Sequence, residues 1–165
     1  MSYYIGLPLI LLAALLEASV LPLFRVGGLQ PNLVLILLVG WLMVRGAGEA
    51  FVLIPFGGIV LGLVDSAPMG TALLAMAPVA LLHEARGAHL REGGIVLTIV
   101  FMVLMTLAYN VVYLTVFAIG GAAGNPIEAF ASVAIPACFL NVVVLLPVYF
   151  VMTMASPDLR RVAYA

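Results

Sequence analysis

Lysine is absent from this chain, and its 165 residues carry only six arginines against seven acidic residues, a net charge of −1. That balance leaves no basic surface for nucleic acid and no polybasic patch for lipid headgroups. Cysteine is nearly absent too. The single Cys138 has no partner for an internal disulfide and no neighbouring metal ligands, so it reads as a packing residue in the apolar run with Phe139 and Leu140. Charged residues make up only 8% of the chain, whereas hydrophobic residues make up 66%. A soluble domain carries roughly a quarter charged residues, so that class is excluded.

Catalytic patterns are missing as well. His83-Glu84 is not followed by a second histidine at helical spacing, and no Gly-x-Ser-x-Gly elbow occurs. A pair of aspartates sharing a proton would have to be built from Asp65 and Asp158, and the second lies in the polar tail. The sequence therefore predicts no enzyme activity, no catalytic residue, no cofactor and no metal site.

What is present is apolar sequence in helix-length runs, with a mean hydropathy of +1.33. A crossing needs about 20 residues, which predicts an all-α integral membrane protein of six spans, a single polytopic domain over residues 1–165. The first helix is expected from Tyr4 to Phe24, retained rather than cleaved because no basic segment precedes it and Glu17 interrupts it. The second runs from Leu33 to Val44 and the third from Ala50 to Asp65, joined by the glycine-rich turn Arg45 to Glu49. The fourth is expected from Met69 to Leu82, with a charged loop from Glu84 to Glu92. The fifth covers Ile95 to Ile119 and the sixth Ile127 to Met154. The second and third are short, which predicts tilting, a kink at Pro55 or local thinning of the bilayer.

Arginine placement orients the bundle. With a cytoplasmic amino terminus, Arg45, Arg86, Arg91, Arg160 and Arg161 fall inside and only Arg25 falls outside. Both termini are then cytoplasmic.

Several polar and small residues stand out against this background. Gly58 and Gly62 are four apart, a spacing that lets another helix approach, either within the bundle or from a separate protein. Ala14 and Ala18 form a weaker small-residue face. Glu17 and Asp65 sit in apolar surroundings, where a carboxylate is costly. They could line a cavity or proton route; alternatively Glu17 bonds to another helix and Asp65 caps the fourth helix beside Pro68. Asn110 and Asn141 read as hydrogen-bonding links between helices.

Pro31-Asn32-Leu33 at the start of the second helix, the Arg45-Gly46 turn, and Gly58 to Gly70 with Gly62-Leu63-Val64-Asp65 before Pro68-Met69-Gly70 resemble MreD, the small membrane subunit of the bacterial rod-shape complex. The resemblance covers about residues 10 to 85; beyond Arg86 only length and hydropathy match. It implies a non-catalytic adaptor in the bacterial cytoplasmic (inner) membrane. Its implied partners are MreC, the polymerase RodA with its transpeptidase, MreB, and membrane lipid, in support of peptidoglycan synthesis. Glu17, Pro31, Asn32, Gly58, Gly62, Asp65 and Gly70 are the candidate partner-binding or structural residues. Six short helices, the Ala14 to Ala18 face of the first helix and the outward-side polar residues also resemble the substrate-binding S component of energy-coupling-factor vitamin transporters. A subunit of that kind is the competing reading.

Overall fold

A computed structural model of the chain describes residues 3–24, 28–45, 47–65, 67–68, 70–89, 94–121 and 126–155. These form six helices: α1 (Tyr3–Ser19), α2 (Leu33–Arg45), α3 (Ala47–Val64), α4 (Thr71–His89), α5 (Gly94–Ile119) and α6 (Pro126–Met154). No β-strand occurs among the described residues. Among the described residues, three stretches are long and apolar enough to cross a membrane, Tyr4–Leu23, Gly94–Ile119 and Glu128–Met154; those of α2, α3 and α4 are shorter.

Three helix ends differ from the sequence expectation by more than two residues; one is the start of α3, which lies at Ala47 inside the expected Arg45 to Glu49 turn because the helical backbone extends through Gly48 and Glu49. The first α-helix stops at Ser19 and continues as a 3-10 turn over Leu21–Phe24. Pro22 is the physical reason, since it offers no N–H to the helix and disfavours helical geometry in the residue before it. Conversely, α4 does not end at Leu82 but keeps helical backbone to His89. Polarity had marked Glu84 to His89 as loop. Ala85, Arg86 and Ala88 are good helix formers, and a helix leaving the apolar layer need not unwind when its side chains turn polar. Residues 90–93 lie outside the described residues.

The architecture is a ring around α2. Nine of the 13 residues of α2 are buried, and the helix packs against each of the other five. Around it, α1 touches α3, α3 touches α4, α4 touches α5 and α5 touches α6. Between α6 and α1 the ring does not close. An apolar groove of about 330 Å³ lies there, walled by Leu12 and Leu16 of α1 and Val148 and Val151 of α6, with Leu33 and Leu37 of α2 as part of its floor. Leu33 and Leu37, one helical turn apart, are only partly buried, unlike most of α2.

Close approach inside the ring is made at Gly58 rather than at Gly62. A Cβ at Gly58 would sit 2.8 Å from the Leu73 Cα of α4, so the two backbones can meet there only with glycine. At Gly62 the nearest neighbour would be the Ala72 Cβ at 3.8 Å, an ordinary contact. The α4 entry depends on Gly70, whose φ of +89° is a left-handed conformation that side chains resist. There the Thr71 N–H (3.1 Å) and hydroxyl (2.7 Å) both donate to the Pro68 carbonyl.

These contacts separate the glycines experimentally. Gly58→Ala forces backbone against backbone and should destabilise the bundle by about 1–3 kcal/mol. Gly62→Ala adds a methyl where there is room and gains helix propensity, so it should be neutral or stabilising by up to about 1 kcal/mol. Thermal unfolding of both variants in detergent checks the ordering.

Candidate functional site

The first turn of any helix leaves N–H groups without partners inside the helix, and in an apolar bundle water does not replace them. At α2 three side chains share that task. The Leu35 N–H donates to the Asn32 Oδ1 at 2.8 Å, the N-cap bond that asparagine favours. The Val34 N–H donates to the Glu17 Oε2 of α1 at 3.2 Å. The Asn32 N–H donates to the Asn141 Oδ1 of α6 at 2.9 Å.

The network continues across the bundle. The Asn141 amide donates to the Thr106 hydroxyl of α5 at 3.0 Å. Asn141, Thr106 and Glu17 are all buried, Glu17 with 7% of its surface exposed. A carboxylate beside a helix N-terminus meets the positive end of the helix dipole, which offsets part of the cost of burial. Asn110 plays a different part: its amide donates to the Thr106 carbonyl of its own helix at 2.8 Å.

Asp65 is held from α5. Its Oδ2 accepts a hydrogen bond from the Tyr113 hydroxyl. Tyr113 lies in a stack with Tyr109 and Phe117, whose ring centroids are 5.4 and 5.3 Å away. Ser66 and Met69 of the adjoining turn lie outside the described residues. Among the described residues, the side chain bonded to the Pro68 carbonyl is Thr71 and not Asp65.

Glu17 and Asp65 line one cleft of about 230 Å³, together with Ala18, Pro22, Gln30, Leu61 and Val64. The buried Gln30 Oε1 has no hydrogen-bond partner among the described residues. Pro31 and Asn32 adjoin this region at the α2 entry, so Glu17, Pro31, Asn32 and Asp65 gather at one end of the short helices. Gly58 instead lies inside the α3–α4 contact, Gly62 has room beside Ala72, and Gly70 shapes the turn into α4. Of the small-residue face on α1, Ala14 is fully buried and Ala18 is exposed.

Tyr113 and Thr106 were not picked out from the sequence. A helical tyrosine in a long apolar run carries no local signal of a partner 48 residues away. A helical threonine is ordinary, and only the packing of α5 against α6 brings Thr106 to Asn141. Chemically, the cluster consists of bonds that close a helix end and link α1, α2, α3, α5 and α6. No group of three or more potential metal ligands occurs among the described residues.

Asn141→Ala should cost more than Asn110→Ala, because it removes bonds to both α2 and α5 whereas Asn110 serves its own helix. Interhelical hydrogen bonds average about 0.6 kcal/mol and reach about 1.7, and Asn32→Ala should cost about 1 kcal/mol as a lost cap. Unfolding in mixed detergent micelles measures both quantities, and a Thr106→Val/Asn141→Ala double-mutant cycle isolates the side-chain bond between α5 and α6; independent effects from Thr106 and Asn141 would contradict the shared network.

No protein-family model matches this chain, and neither a curated protein nor a solved structure matches it.

Proposed function

We propose that this chain is a non-catalytic membrane adaptor of the MreD kind, a multi-pass protein of the bacterial inner membrane that binds MreC and supports peptidoglycan synthesis during elongation. The observation that carries the reading, beside the residues that resemble MreD, is the opening between α6 and α1. A central helix surrounded on five sides and left uncovered on the sixth offers one more helix a place. A bitopic protein brings one transmembrane helix. RodA with its transpeptidase, and MreB, would then be reached through the assembled complex.

The proposal places six crossings in the membrane with both termini cytoplasmic. After Cys138→Ser, single cysteines at Gly28 and Asn125 should label from outside, and those at Ala88 and Ala163 only after permeabilisation. Outside labelling at Ala88 would overturn the topology.

The transporter-subunit reading is favoured by the polar cleft of Glu17, Gln30 and Asp65. At about 230 Å³ it falls below the roughly 300–1,000 Å³ of ordinary small-molecule sites. The hydrogen bonds of Glu17 and Asp65 already go to the protein's own helices. An adaptor uses such bonds to hold its shape.

The two readings separate in one experiment. Leu12→Trp and Val151→Trp narrow the groove from opposite walls without entering the buried core. Both should reduce MreC co-purification by about tenfold or more, the equivalent of about 1.4 kcal/mol, while Ile59→Trp on the opposite flank leaves it unchanged. Capture at the original level by both groove variants would remove the proposed docking site. Loss of small-molecule binding in Asp65→Asn, with MreC capture intact, would favour the transporter subunit.

A further inference from the structure

The six helices do not agree on how thick a membrane they want. α5 is an uninterrupted apolar helix of 26 residues, about 39 Å long at 1.5 Å per residue. The apolar stretch Glu128–Met154 of α6, 27 residues, is about 40 Å long. The apolar part of α3 is Ala50–Val64, only about 22 Å, and the apolar run of α4 from Thr71 to Leu82, before His83, is about 18 Å. A bilayer's hydrocarbon core is about 30 Å thick.

For α2 the shortness is harmless, because other helices cover most of it. For α3 and α4 it is not. Phe51, Val52, Ile59 and Leu63 of α3 and Leu74 and Leu81 of α4 are exposed along one flank. In the sequence, Glu49 precedes the apolar run of α3 and Asp65 follows it, and His83-Glu84 follows the apolar run of α4. Tilt lets a helix that is too long fit the layer, but it shortens further the reach of one that is too short. The long α5–α6 hairpin can therefore tilt to fit; the α3–α4 flank cannot.

We infer that the α3–α4 flank is a contact surface for a locally thinned bilayer, and that lipids with short acyl chains pack against it in preference to long ones. The α5–α6 flank, which tilt accommodates, lacks that preference, so the membrane is thinner on the α3–α4 side of the protein than on the α5–α6 side. The inference uses the membrane placement proposed above and is independent of MreC.

The test is lipid-quenching of site-specific fluorescence on the full chain reconstituted alone. Ile59→Trp marks the middle of the α3–α4 flank (52% exposed) and Phe139→Trp the α5–α6 flank (71% exposed), while the native Trp41, 6% exposed, is a shared and shielded background. Each variant is placed in mixtures of myristoleoyl and erucoyl phosphatidylcholine, with one or the other brominated on its chains. The relative binding of short over long chains should be about threefold higher at position 59 than at 139. Leu63→Trp and Val143→Trp, one for each flank, repeat the comparison if either first variant fails to fold. Equal chain preference on both flanks would overturn the thickness step while leaving membrane insertion intact. Absence of quenching at both positions would instead count against the membrane placement itself. Quenching at 139 but not at 59 would mean that a second copy of the chain, not lipid, covers α3 and α4.

Discussion

The fold rests on closing the amino-terminal end of α2. This helix is the centre of the molecule, with Leu35, Ile36, Leu38, Val39 and Leu42 wholly buried, and a buried helix end whose N–H groups lacked partners would cost several kilocalories per mole. Asn32, Glu17 and Asn141 remove that cost from three directions, as cap, as carboxylate from α1 and as link to α6. With that end satisfied, apolar packing can surround α2 on five sides. Glu17 thus has a structural reason to stand in an apolar helix, since it accepts the Val34 N–H at the start of α2.

The same arrangement explains why the polar cleft and the apolar groove suit different roles. In the cleft, Glu17 and Asp65 each accept a hydrogen bond from this chain's own helices. In the groove, Leu33 and Leu37 of α2 are only partly buried, because the ring around them is open between α6 and α1. A binding subunit keeps its polar groups available for cargo, whereas an adaptor spends them on rigidity and leaves a packing face open. Among the described residues the chain shows both features, an apolar packing face in the groove and, at Gln30 Oε1, one acceptor in the cleft without a partner.

Much of the fold was legible because long apolar runs in a chain with so few charges leave little choice of secondary structure. The start of α2 at Leu33 was marked by the apolar run resuming after Pro31-Asn32, whereas the capping bond of Asn32 is seen only in the structure. The exits of α1 and α4 were harder to read. Pro22 tightened what hydropathy alone joined to α1, and the charges after Leu82 suggested loop where helix propensity carried α4 to His89. The site was legible only in part. Glu17, Asp65 and Asn141 stood out through the cost of polarity in apolar surroundings, but their partners depend on which helices meet, and period and composition do not encode that. Gly58 and Gly62 share one motif yet meet different neighbours: the Leu73 backbone of α4 lies against Gly58, whereas beside Gly62 there is only the Ala72 methyl at ordinary distance. Spacing marks a face on which glycine is useful; the crossing point decides which glycine is needed.

The central claim is that the gap in the ring around α2 receives one transmembrane helix of a partner. Photo-cross-linking in native membranes tests it most directly, with a photoreactive residue placed singly at Leu16 or Val151 in the groove and at Ile59 on the far flank. The account predicts one covalent adduct at both groove positions, containing MreC through its membrane-spanning segment, and none at Ile59. An adduct with MreC at Ile59 and none in the groove would contradict it.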